Sequence, residues 1–115
     1  METYAIHKTA MIKPRLARMT MDLIRGKSVE SARAILENTN TKASGLILKV
    51  LNSAAANAVN NNGADEKELV ISKCFINPGP IYKRIQFASR GNVDRHDKRT
   101  SHIVVYVTDN KEVTE

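Results

Sequence analysis

The sequence has no tryptophan, only three tyrosines and two phenylalanines, and a single cysteine among its 115 residues. With so few aromatic side chains, the core has to be built from Ala, Ile, Leu, Val and Met, which favours closely packed helices over an aromatic-filled sandwich. Because Cys74 has no partner and lies in an apolar stretch, we expect a buried thiol in a reducing compartment. No apolar run approaches a membrane span, and the N-terminus has no apolar signal segment. We therefore expect a cytoplasmic protein with no membrane partner.

The sequence also lacks the patterns that carry catalysis or hold a metal ion. It contains no Gly-rich phosphate loop, no H-E-x-x-H pattern and no C-x-x-C pair. Asp94, His96, Asp97 and His102 are a conceivable set of ligands, but such mixed residues on an exposed segment are more often simply solvated. We therefore predict no enzyme activity, no cofactor and no metal site.

Positive charge, in contrast, is abundant and unevenly distributed. Eighteen Lys and Arg residues against twelve Asp and Glu residues give a formal charge of +6. Residues 1–27 and residues 80–102 each hold six basic and two acidic side chains, so each block carries +4, while the rest of the chain carries −2. Two concentrated basic blocks indicate a protein that meets a polyanion.

The length fits a single domain over residues 1–115, and hydrophobic periodicity predicts three helices in its first half. The first begins at Pro14 and ends before Gly26; its predicted inward face comprises Leu16, Met19, Thr20, Leu23 and Ile24. The second helix begins after Ser28, and the third begins after Thr41 and ends near residue 60. Methionine at helical spacing most often fills gaps in a core, so no binding role is assigned to Met11, Met19 or Met21.

Strands are predicted at residues 3–8, 69–76 and 103–108. Residues 77–102, between the last two, are far too many for an ordinary hairpin loop. They are interpreted as an extended hairpin at about 78–101, folded about Gly91, whose arms of roughly ten residues would reach about 30 Å. Since an isolated two-stranded ribbon is marginal in water, something outside the chain has to hold this hairpin.

The candidate binding residues are the cations of the two basic blocks and the polar residues at the root of the hairpin. A polyanion running along the hairpin would neutralise cations on both arms and release counterions. Tyr82 and Phe87 either stack on unpaired bases or pair across the ribbon. Folded RNA offers crevices for a long hairpin, which favours RNA over duplex DNA. The candidates are Arg15, Arg18, Arg25, Lys27, Lys83, Arg84, Arg90, Arg95, Lys98, Arg99, Ser101 and His102.

Four stretches of the chain carry a resemblance to a known family. They are Asp22–Val29 (DLIRGKSV), Lys49–Ala58 (KVLNSAAANA), Gly79-Pro80 followed by Lys83-Arg84, and Lys98–Ile103 (KRTSHI). In this order and at this spacing they resemble the bacterial large-subunit ribosomal protein uL22 (L22) family. The resemblance extends over nearly the whole chain.

This resemblance implies an α+β fold with three helices packed on a small antiparallel three-stranded sheet, and a long protruding β-hairpin. It further implies a structural constituent of the large ribosomal subunit that binds large-subunit (23S-type) rRNA, aids subunit assembly and contacts neighbouring large-subunit ribosomal proteins. The hairpin tip of the family lines the nascent-peptide exit tunnel, where changes can alter macrolide susceptibility. By position, this tip corresponds to Ala88, Ser89, Arg90, Gly91, Asn92 and Val93. We expect no self-assembly.

The sequence departs from the family pattern in two places. Where the family commonly has an Arg/Pro-rich tip, residues 87–93 contain one arginine, and Asp94 and Asp97 follow, so fewer phosphate contacts are expected there. Lys13 stands before Pro14 where a capping Ser is common. The alternative function is a free-standing nucleic-acid-binding regulator, which would share the charge; an enzyme using His96 ranks last.

Overall fold

A computed structural model of the protein describes residues 2–87, 91 and 93–108. The sheet has the strand order β1-β3-β2, and both pairings are antiparallel. The described chain therefore confirms the expected α+β architecture with three helices, a three-stranded sheet and a long hairpin. Its elements are β1 (Glu2–Ala10), α1 (Pro14–Met21), α2 (Val29–Asn38), α3 (Lys42–Asn62), a 3-10 turn (Glu66–Glu68), β2 (Val70–Phe87) and β3 (Val93–Thr108).

The core lies between the sheet and the helices. Helix α3 packs against β1 and β3, α1 packs against β2, and α2 packs against α3. Three alanines of α3, Ala54, Ala55 and Ala58, are buried, and their small side chains let the helix approach the sheet closely. The central strand β3 contributes Ile103 and Val105 to the same core cluster, and neither is exposed. The body is thus held together by aliphatic packing, as the scarcity of aromatic residues predicts.

The predicted helix starts are confirmed, each by a different local device. Ser28 accepts a hydrogen bond from the backbone N–H of Ser31 at 3.2 Å. Thr41 accepts one from the N–H of Ser44, whose hydroxyl accepts one from the N–H of Thr41, forming a reciprocal capping box. Helix α1 has Pro14 at its first position, and Lys13 provides no side-chain cap.

The prediction for α1 was wrong in its length and for three of the five residues of its inward face, whereas Thr20 and Ile24 are buried as predicted. The helix ends at Met21, and residues 22–26 form turns. The residues that it buries, together with Ile24 in the turns, are Pro14, Ala17, Thr20 and Met21. The small Ala17 lies at the centre of the buried face, where it permits close packing of the helix against the body. Three larger side chains that were predicted to face inward are therefore exposed by about half or more: Leu16, Met19 and Leu23.

The hairpin is a continuation of the two strands that belong to the core. Strands β2 and β3 remain paired from Val70 and Thr108 in the body to Phe87 and Val93 beyond it, interrupted by irregularities between Ile71 and Lys73 and between residues 78 and 81. The molecule is consequently 61 Å long against 25 and 24 Å in its other dimensions. Gly91, the predicted turn glycine, has a φ of 77°, a left-handed conformation that glycine adopts at little cost.

The root of the hairpin is a close contact between Gly79 on β2 and Thr100 on β3. A Cβ atom added at Gly79 would lie 2.5 Å from Thr100 Oγ1, well inside van der Waals contact. That hydroxyl is fixed because it donates a hydrogen bond to the carbonyl of Pro80 at 2.6 Å, and Thr100 is fully buried. Glycine is therefore needed at position 79 for space.

We predict that Gly79→Ala lowers the free energy of unfolding by about 1–3 kcal/mol, because the new methyl group overpacks the root. Gly45→Ala is the matched control, since Gly45 is an exposed residue of α3 with no atom within 4 Å of the added Cβ. The control should raise the free energy by about 0.5–1 kcal/mol through helix propensity. Urea denaturation of both variants measures the two effects, and equal stabilities would contradict a tight root.

Cys74 is buried on β2, as the sequence predicts. Burial raises the pKa of its thiol, and the nearby Arg25 charge opposes that rise. Because the thiolate is the reactive form, we predict that iodoacetamide modifies the folded protein about tenfold more slowly than the urea-unfolded chain. The midpoint of rate against pH should also lie higher for the folded protein. Equal rates and midpoints in the two states would refute this prediction.

Candidate nucleic-acid interface

Two of the predicted anchors, Arg18 and Arg25, lie along the free edge of β2. The Arg18 guanidinium donates a hydrogen bond to the carbonyl of Ile76 at 3.3 Å, and that of Arg25 donates one to the carbonyl of Cys74 at 3.1 Å. The other terminal nitrogen of the Arg25 guanidinium, Nη1, donates a hydrogen bond to the Asp22 carboxylate and forms an ion pair with it. This hydrogen bond raises the pKa of Arg25. Because β2 is an edge strand, its outward carbonyls need partners, and these arginines supply them.

The same edge is covered further along by the segment that joins α1 to α2. The N–H of Ile71 donates to the carbonyl of Lys27 at 2.9 Å, and the N–H of Val29 donates to the carbonyl of Leu69 at 3.1 Å. The backbone of Lys27 is therefore anchored, while its side chain is exposed. The side chain of Arg15 on α1 is also exposed. All four body candidates are exposed and belong to α1 or to the segment after it, both of which contact β2; we call them the strip beside β2: Arg15, Arg18, Arg25 and Lys27.

The hairpin presents cations on both of its faces. Lys83 pairs with Asp97 across the ladder, and Ile81 pairs with Arg99, so Lys83 and Arg99 share one face. Tyr82 pairs with Lys98 on the opposite face. All three cations are exposed. The apolar Ile81 and Tyr82 are 45% and 37% exposed, so the described part of the hairpin does not bury its own apolar residues.

The two polar candidates at the root are engaged within the protein. Ser101 is fully buried, and its hydroxyl donates a hydrogen bond to the carbonyl of Ile12 at 2.7 Å. His102 is half-buried and accepts a hydrogen bond from the N–H of Thr9 through Nδ1 at 2.9 Å. Ser101 therefore ties the hairpin to the loop before α1 and is not part of the exposed surface.

The remaining candidates belong to the outer hairpin and its tip, whose side chains lie outside the described part of the protein. Arg90 and the tip positions Ala88, Ser89 and Asn92 lie outside the described residues. The side chains of Arg84, Phe87, Val93 and Arg95 lie outside the described side chains, although their backbones belong to the β2–β3 ladder.

An aromatic cluster on the sheet was missed by the sequence reasoning. The rings of Tyr4 and Tyr106 lie 5.2 Å apart, and those of Phe75 and Tyr106 lie 6.2 Å apart, so the cluster crosses all three strands. Lys73 Nζ lies 5.8 Å from the Tyr106 ring centroid. The alternation of Tyr4 with the buried Ala5 was the available signal for an exposed sheet face.

Two absences apply to the described chain. Among the described residues, no three His, Cys, Asp or Glu side chains are grouped so that they could hold a metal ion. In that same part of the protein, no helix combines the length and the apolar character needed to cross a lipid bilayer.

Comparison with known proteins gives a consistent answer over almost the full length. The family described as "Ribosomal protein L22p/L17e" matches residues 5–108. The large ribosomal subunit protein uL22 of Desulforamulus reducens is 51% identical over 112 residues, which cover 97% of this chain and 99% of that protein. The matched region includes every helix and nearly all of the three strands. The chain belongs to the L22p/L17e family of ribosomal proteins, which is not a family of enzymes.

Proposed function

We propose that this protein is a structural constituent of the large subunit of a cytoplasmic ribosome, where it binds large-subunit rRNA and aids assembly. The observation that carries the proposal is the hairpin, which extends beyond the core with cations on both faces and with Ile81 and Tyr82 exposed. A ribbon of this kind gains order when folded RNA surrounds it, because the phosphates neutralise both faces at once.

The body and the hairpin have different roles in this proposal. The strip beside β2 contacts phosphates through Arg15, Arg18, Arg25 and Lys27, and so sets the orientation of the body. Lys83, Lys98 and Arg99 seat the hairpin, together with Arg84, Arg90 and Arg95. Phosphate contacts of this kind fix position and register without reading sequence. Neighbouring ribosomal proteins are the remaining partners within the subunit.

The binding test removes the two hairpin cations nearest the root. We predict that Lys98→Ala/Arg99→Ala weakens binding to large-subunit rRNA and lowers the slope of log affinity against log salt by about one unit per lost phosphate contact. Lys67→Ala is the control, because Lys67 is exposed in the 3-10 turn before β2, at the other end of the sheet from the hairpin. Its slope should equal that of the wild type. A double variant with an unchanged slope would remove these residues from the interface.

Cosedimentation separates this function from the alternative of a free-standing nucleic-acid-binding regulator. The ribosomal function requires the protein to remain with large subunits through a moderate-salt gradient, whereas a regulator would be released and would prefer short sites.

We further propose that the tip, residues 88–93, lies at the nascent-peptide exit tunnel. We predict that a photoreactive amino acid in place of Ser89 crosslinks to the nascent chain or to the rRNA around it in translating ribosomes. The same group in place of Asn60, an exposed residue of α3, should not reach the nascent chain. Crosslinks from position 89 that reach only the outer surface of the subunit would overturn the tunnel assignment.

A further inference from the structure

A concave apolar surface lies on the side of the body where the hairpin root meets the helices. It is bounded by the loop of residues 11–13, by α1 and by the start of α3, and its volume is about 390 Å³. We call it the α1–α3 cleft. Its volume is within the range of about 300–1,000 Å³ typical of sites for small ligands.

Three large apolar side chains that line the cleft are exposed and are not part of the packing between the helices and the sheet. Met11, Leu16 and Met19 are 49%, 52% and 64% exposed, and all three line the cleft. Single exposed apolar residues are ordinary on a protein surface. Three that converge from a loop and a helix on one concavity indicate a binding site.

The margin of the cleft is cationic. Lys13 and Lys42 line it, and the cleft has no acidic lining residue among those described. The Lys42 ammonium is held there because it donates a hydrogen bond to the carbonyl of Met11 at 2.6 Å. An adjoining depression shares both lysines and extends to Lys98 and Arg99, with Asp97 as its one described acidic lining residue.

This combination of chemistry favours one kind of occupant. An apolar side chain from another protein would fill the interior and leave the surrounding cations without counter-charges. An unpaired nucleotide matches both parts, because its base is flat and apolar on its faces while its phosphates are anionic. Methionine sulfur also makes favourable contacts with aromatic rings.

We propose that the α1–α3 cleft holds one nucleotide of large-subunit rRNA that is turned out of its helix. Its base lies against Leu16, Met11 and Met19, and its phosphates contact Lys13 and Lys42. This inference rests on the proposed function and adds to it a specific subsite, next to the hairpin root.

The test compares two leucines of nearly equal exposure. Leu16, inside the cleft, is 52% exposed, and Leu23, outside it, is 48% exposed. Both are replaced by Glu, which introduces the same charge at each position. Because neither leucine is buried, both variants should melt at the wild-type temperature. Large subunits that carry each variant are purified, and their rRNA is probed with dimethyl sulfate and with a reagent for flexible 2′-hydroxyls.

We expect one unpaired nucleotide to become several-fold more reactive in Leu16→Glu subunits and to keep its wild-type reactivity in Leu23→Glu subunits. If Leu16→Glu is absent from purified subunits, Leu16→Ala replaces it and should expose the same nucleotide. An unchanged reactivity profile overturns the inference, and so does the loss of a neighbouring ribosomal protein without a change in any nucleotide. Failure of the wild-type protein to sediment with large subunits would instead overturn the proposed function.

Discussion

The pairing of β2 with β3 links a packed body to a segment that has little packing of its own. In the body this ladder is covered by helices, and Ile76 and its partner Ile103 are buried. Beyond the irregularity between residues 78 and 81 the same ladder continues, but Ile81 is 45% exposed. The strands stay paired on both sides of this irregularity, whereas among the side chains that the structure describes apolar burial is confined to the part next to the helices. In the proposed function, rRNA supplies the contacts that the helices give to the inner part of the ladder.

The root of the hairpin is bonded to the body of the protein. Thr100 packs against Gly79 and donates a hydrogen bond to the carbonyl of Pro80. The hydroxyl of the buried Ser101 donates a hydrogen bond to the carbonyl of Ile12. Ile12 lines the α1–α3 cleft. One small group of contacts therefore joins the hairpin root to the lining of the cleft, so RNA bound to the hairpin and RNA bound to the cleft would lie next to each other on the protein.

Local signals in the sequence predicted the fold well, and tertiary packing explains where they failed. Ser28 and Thr41 act within one helical turn, so the helix starts were readable. The inward face of α1 could not be predicted from the sequence, because whether Ala17 or the larger Leu16 is buried depends on how closely α1 approaches the rest of the body. The basic blocks predicted a surface for a polyanion, but charge alone could not show that Ser101 is buried.

The arginines beside β2 illustrate why a cationic residue in such a protein has to be considered for two functions at once. A guanidinium carries five N–H donors in a planar fork, so Arg18 and Arg25 can each satisfy a carbonyl of the strand edge and retain donors for a phosphate. The bond to the strand limits the rotamers of the side chain, and less entropy is then lost when a phosphate binds. Lysine at these positions would keep the charge but lose the planar fork. The edge of β2 and the proposed RNA surface would therefore be stabilised by the same two side chains, each through a different part of its guanidinium.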